Sequence, residues 1–208
     1  MEEEKTGIQE LKEFAKKTKR NIDCDENAYV ASGIRPRTLV KQHAIISNLA
    51  ENEAYFVNYC DMAAIGDSAM YSGFFFPVEF PSSTLVKVRQ KNILDKMKLF
   101  SKKSEFKTQS KEFDSKVIIE ENDERASDKL FISQSLQSLI LEIFKLDPRL
   151  KLCVNHIDTG IVPDLKNKST LGIYITEQWL LDEQLTEKLY ALVGKLKMKI
   201  QIGHEVHS

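Results

Sequence analysis

The sequence predicts an α+β fold, mainly antiparallel sheet with helices packed on one face and a β-rich N-terminal half. Two observations predict it. From Ala28 to Val88 short apolar runs alternate with clusters of turn residues, the pattern of consecutive strands. Beyond Ser104, strand-like runs are interleaved with segments whose apolar residues recur at helical spacing. None of these helices is preceded by the glycine-rich loop of a doubly wound dinucleotide fold.

The first element is a helix. Thr6 and Gln9 have capping-box spacing, and Ile8, Leu11, Phe14 and Ala15 share one face while Lys12, Glu13, Lys16 and Lys17 lie elsewhere, to an end near Arg20. So narrow an apolar stripe with mixed charges suits a helix laid on a core rather than on a membrane. Extended segments follow at Ala28 to Ser32, Leu39 to Leu49, Ala54 to Ile65, Ala69 to Phe80 and Leu85 to Arg89. Leu39, Ala44, Ile45 and Leu49 do not alternate cleanly, so a helix competes there with the strand reading. Gly66-Asp67-Ser68 should turn a hairpin between Tyr55–Tyr59 and Phe74–Phe76, and Gly73 and Pro77 suggest a bulged or edge-adjacent second arm.

Ser104 to Lys111 is polar and aperiodic, which places a loop between residues 1–103 and an α+β half at 104–208, unless the two form one continuous domain. The second half reads as an extended run at Lys116 to Glu120, an acidic turn, and an extended or helical piece ending at Leu130 to Ile132. A helix from Ser133 to Lys145 comes next, stopped by Asp147-Pro148. Leu136, Leu139, Ile140, Ile143 and Phe144 form its core face, with Gln137 and Glu142 expected to tolerate replacement. Alternation then marks strands at Leu150 to His156 and Leu171 to Thr176. Leu185, Leu189, Leu192 and Leu196 stripe a closing helix from about Gln178 to Lys199.

Over Ser104 to Thr176, the succession of Glu112-Phe113-Asp114, a strand, Asp123 with Ala126 and Leu130, a helix and two short strands resembles a widespread bacterial family of unknown function. Members commonly carry membrane helices before a cytoplasmic α+β domain. The resemblance implies such a domain here, without membrane helices in this sequence, and brings no catalytic residues with it.

At 208 residues and 42% hydrophobic, the chain can bury a sizeable core. Thirty basic against 31 acidic residues leave a net charge of -1, which argues against a nucleic-acid partner. Cys24, Cys60 and Cys153 are odd in number and scattered, as suits a reducing compartment. The acidic start, Met1-Glu2-Glu3-Glu4-Lys5, is unlike a signal peptide, and no apolar run approaches the roughly 20 residues of a membrane span. A cytoplasmic protein, peripheral to a membrane at most, is the expectation.

Chemistry is less legible. The signatures of serine hydrolases, P-loop NTPases, dinucleotide enzymes and zinc proteases are missing, so a non-catalytic domain is favoured, with no cofactor expected. Cys153 and His156, with Asp158 beyond, have the separation of two zinc ligands. No second pair completes a site, and positions three apart on a strand face opposite ways. His204 and His207 lie in a tail and lack a third ligand, so no metal is expected. The clusters Asp23, Asp25, Glu26 and Asn27, and Glu120, Glu121, Asp123 and Glu124, lack the glycine and spacing of a calcium loop and read as solvated turns.

The strongest local charge feature is the basic run Lys87, Arg89, Lys91, Lys96, Lys98, Lys102, Lys103 and Lys107, interleaved with Ile93, Leu94, Met97 and Phe100. As an amphipathic connector it would pack its apolar side and leave its lysines solvated. As a site, Lys96, Lys98, Lys102 and Lys103 would contact an anionic surface. The function expected is therefore binding or regulation, through a protein partner or an anionic surface. The alternative is a small-molecule-binding protein or enzyme with an aromatic-lined pocket between the Tyr55–Phe80 hairpin and the helices.

Overall fold

A computed structural model describes residues 5–31, 37–48, 53–92, 95 and 106–205. The fold is α+β. Its helices are α1 (Gly7–Thr18), α2 (Lys111–Lys116), α3 (Glu124–Phe131), α4 (Gln134–Leu146) and α5 (Glu183–Glu205). The strands are β1 (Asn21–Ala31), β2 (Arg37–Ser47), β3 (Tyr55–Asp61), β4 (Met70–Pro77), β5 (Val86–Gln90), β6 (Val117–Glu121), β7 (Lys151–Val154) and β8 (Thr170–Thr176). They form one sheet in the order β1-β2-β3-β4-β8-β7-β5-β6. By contacts the chain divides into two compact units, residues 1–75 with 174–190 and residues 76–173 with 191–208. No described helix is long and apolar enough to cross a membrane.

In the first unit, α1 begins with the expected capping box. Thr6 Oγ1 accepts from the Gln9 amide at 3.3 Å, and Gln9 Oε1 accepts from the Thr6 amide at 2.8 Å. The helix stops where Lys19 turns left-handed, at φ 57. Ile8, Leu11, Phe14 and Ala15 are buried. Strands β1 to β4 form an antiparallel meander in unbroken register, from Asn21↔Ser47 through Lys41↔Asp61 to Tyr55↔Phe75. Gly66, at φ 77, opens the short 3-10 turn between β3 and β4, a torsion glycine adopts without strain.

On one face of this meander Phe56 stacks on Phe74 at 4.7 Å, and the Tyr190 ring meets Phe74 edge-on at 4.7 Å. On the other face Tyr71 lies between Tyr59, at 5.3 Å, and Phe75, at 5.7 Å. The segment before α5 is fastened by polar bonds: Leu180 N donates to the buried Ser72 Oγ at 2.9 Å, and Trp179 Nε1 to Tyr59 O at 3.2 Å.

In the second unit β5 sits between β6 and β7, antiparallel to both, with Val88 opposite Ile119 on one side and Leu152 on the other. Phe113 of α2, Phe131 of α3 and Phe106 cluster at 5.9 to 6.5 Å. Leu136, Leu139, Ile140, Ile143 and Phe144 of α4 are all buried, as their spacing required. Gln90 Nε2 donates to Phe144 O at 2.6 Å, tying β5 to the end of α4.

Several elements correct the sequence reading. The Asp23–Asn27 cluster is the middle of a strand, not a turn, because β1 pairs with β2 along its whole length and an edge strand keeps charged side chains in solvent. Glu112-Phe113-Asp114, which the sequence assigns to no element, is helical, capped by Ser110, whose Oγ accepts from the Phe113 amide at 3.4 Å. The piece ending at Leu130 to Ile132, open between extended and helical, is the helix α3, capped by Asp123. Gly73 makes no bulge and sits opposite Val57 in regular register. Gln137, expected to be replaceable, is buried and its Nε2 donates to Phe131 O at 2.7 Å.

The stop of α4 gives a pH-dependent prediction. The Asp147 side chain, 7% exposed, accepts from Arg149 Nε at 2.9 Å and from the Arg149 amide at 2.9 Å. The hydrogen bonds from the Arg149 side chain and amide outweigh burial and hold the carboxyl below its usual range. A depressed carboxyl stabilises the fold at pH above its unfolded value, about 4, and that contribution is lost as pH falls through the lower folded value. Asp147→Asn should cost about 1–3 kcal/mol at pH 7. In urea melts its deficit against wild type should shrink toward pH 2; a deficit constant with pH would contradict this role.

Candidate functional site

The most distinctive described feature is a cleft of about 630 Å³ in the second unit, walled by Ser82 and by the loop from Asn155 to Thr170. The loop is built to be rigid. Asn155 ends β7 in the left-handed region, at φ 52, which asparagine tolerates better than most residues. Its amide donates to Thr170 O at 3.0 Å and its Oδ1 accepts from the Thr170 amide at 2.9 Å, so the loop's two ends are joined. Its Nδ2 donates to Thr84 O at 2.9 Å and to Pro81 O and Ser169 Oγ at 3.2 Å each. One side chain therefore positions both walls.

Inside the loop, Asp158 Oδ1 accepts from the Gly160 amide at 2.8 Å. Pro163–Leu165 form one 3-10 turn, while Ile157, Val162 and Leu165 are buried beneath. Such closed, self-packed loops are frequent binding elements. The opposing segment is held equally firmly: Asn122 Oδ1 accepts from the Leu85 amide at 2.7 Å, and Asn122 Nδ2 donates to Ser83 O at 2.8 Å.

Against this frame the rim carries exposed Lys166, Asn167 and Lys168, with Asn167 left-handed at φ 62. The walls add Ser82, Thr159 and Thr170. Neither lysine makes an ion pair with another described residue. Two cations, an amide and several hydroxyls over a fixed backbone form an environment for an anionic group; Asp158, already bonded to Gly160, is the carboxylate of the lining.

The residues singled out from sequence lie elsewhere. Lys96, Lys98, Lys102 and Lys103 fall outside the described residues, as do the apolar residues interleaved with them. The described members of that basic run include two with structural partners. Arg89 forms a two-point bond with Asp95, at 2.7 and 2.8 Å, and Lys91 Nζ donates to Asp114 O at 2.7 Å.

Cys153 is fully buried in β7, where loss of solvent pushes its thiol up to about 12 against weaker opposing backbone hydrogen bonds, while His156 is exposed. The side chains of His204 and His207 lie outside the described residues. Among the described residues no group of three His, Cys, Asp or Glu is arranged to hold a metal ion. Of the second acidic cluster, Glu120 and Glu121 end β6, Asp123 caps α3 and Glu124 begins it. The hairpin aromatics Phe56, Tyr71, Phe74 and Phe75 are buried in the first unit and do not line the cleft.

Sequence reasoning missed the cleft because its residue types are those of any polar loop. Asp158-Thr159-Gly160, Pro163-Asp164 and Asn167-Lys168-Ser169 announce turns, and only the closure by Asn155 turns them into a concave surface. Compared with known proteins, the chain matches no family model, no curated protein and no solved structure.

Proposed function

We propose that this protein is a non-catalytic binding domain whose ligand presents an anionic group, a carboxylate or a phosphate, to the cleft between Ser82 and the Asn155–Thr170 loop. The observation that carries this reading is the placement of Lys166 and Lys168 on the rim of a rigid cleft with hydroxyl and amide donors. Charge-assisted hydrogen bonds to a fixed frame need little reorganisation on binding. The free thiols of Cys24, Cys60 and Cys153 are compatible with the reducing, cytoplasmic setting that the sequence suggests.

Calorimetric titration with citrate and inorganic phosphate tests this. Binding is expected at low salt and should weaken by about tenfold or more as ionic strength rises and the Debye length shortens. Lys166→Glu combined with Lys168→Glu should remove it, whereas Lys195→Glu, on the exposed side of α5, should leave it intact. Failure of wild type to bind either anion, or equal binding by the double variant, would refute the assignment.

A further inference from the structure

We infer that the outer edge of β1 is a docking site for a basic, extended segment of a partner protein, which adds to the sheet as a further strand. β1 is the first strand in the sheet order and runs Asn21–Ala31. Among the described residues, none hydrogen-bonds to its outward side. In an antiparallel pair about half of a strand's N–H and C=O groups point away from the neighbour. That leaves a long row of donors and acceptors ready to pair.

Charge selects the occupant. Asp23, Asp25 and Glu26 are exposed on this strand, and among the described residues none of the three makes an ion pair. The nearest cation across the register, Lys41 opposite Asn27, is taken: its Nζ lies 3.7 Å from Asp61 and 5.8 Å from the centre of the Tyr59 ring. A second copy of the chain is the wrong partner, because antiparallel pairing of two β1 edges sets Glu26 against Glu26 over the full length, or Asp23 against Asp25 when centred on Cys24, and like charges across strands destabilise. A strand with lysines at alternate positions reverses that term along the face that carries Asp23 and Asp25, while the apolar residues between them share the other face with Glu26 and with Val30, which is 67% exposed. The acidic side chains thus guard the edge against self-association while admitting a basic strand.

The test uses the full chain and a capped peptide of alternating Lys and Val long enough to span β1. Hydrogen exchange should slow about tenfold or more at β1 amides as they gain protection from pairing, and affinity should fall about tenfold between low and high salt. The same peptide with alternate amides N-methylated keeps its charge but cannot pair, and should not bind. A Glu-Val peptide should not bind wild type but should bind Asp23→Lys/Asp25→Lys/Glu26→Lys, with circular dichroism confirming that this variant is folded. Should it not fold, the comparison of the plain and N-methylated peptides on wild type decides alone. Absence of protection at β1, protection confined elsewhere, or equal binding by the N-methylated peptide would overturn the inference, leaving the acids as a guard only.

Discussion

Replacing Arg20 by methionine is expected to lower unfolding stability by about 3 kcal/mol, the low end of what breaking a buried ion pair costs. The Arg20 side chain is 8% exposed. Its Nε and Nη2 donate to the Glu53 carboxylate at 2.8 and 3.0 Å, and Nη1 pairs with Glu187 of α5. The guanidinium carbon lies 3.8 Å from the centre of the Tyr190 ring and 5.8 Å from that of Phe14. Burial opposes its charge, but the hydrogen bonds it donates to Glu53 and Glu187 outweigh that and raise its pKa. Burial likewise pushes the Tyr190 hydroxyl up, so the ring faces the cation as a neutral aromatic.

Methionine would fill much of the volume but leave Glu53, 20% exposed, without its partner. Glu187 is 45% exposed and water would replace part of its bond, which is why the low end applies. Arg20→Lys should recover only part of the loss, because an ammonium cannot make the two-point bond or stack on Tyr190. Combining Arg20→Met with Glu53→Gln should cost less than the two singles together. Urea unfolding of the four proteins checks this; a loss under about 1 kcal/mol for Arg20→Met would mark the cluster as a surface pair.

Ile140→Ala and Ile143→Ala should each cost about 2–5 kcal/mol, as large-to-small core changes do. Both side chains are fully buried on α4. Gln137→Ala should cost about 1–3 kcal/mol, because it orphans the buried Phe131 carbonyl as well as removing the amide. Glu142→Ala, on the exposed face, should stay within about 0.5 kcal/mol. Chemical unfolding ranks the four; equal small losses would show that α4 is not packed by this face.

The helices at Gly7–Thr18 and Gln134–Leu146 were legible because each carries its own periodicity and boundary: a capping box in the first, Asp147-Pro148 after the second. The β3–β4 hairpin was legible for the same local reason, two aromatic runs about a Gly-Asp-Ser turn. What failed depended on neighbours. Asp23 to Asn27 look like a turn until β2 is seen opposite them, since only an edge position makes three acids affordable in a strand. Phe113 and Leu130 belong to helices too short for a periodicity to decide between extended and helical, which leaves both readings open at Leu130, and Gln137 breaks no helical pattern that would announce its burial. The cleft was illegible because it depends on Asn155 reaching Pro81, Thr84 and Ser169, contacts distant in sequence.

Amide chemical shifts recorded while inorganic phosphate is titrated into the labelled protein test the proposed binding site most directly. Saturable shifts centred on Ser82, Thr159 and Gly160, and Lys166 to Thr170 are the predicted result, absent in Lys166→Glu/Lys168→Glu. Saturable shifts centred anywhere else, or none at low salt, would contradict an anion site in this cleft.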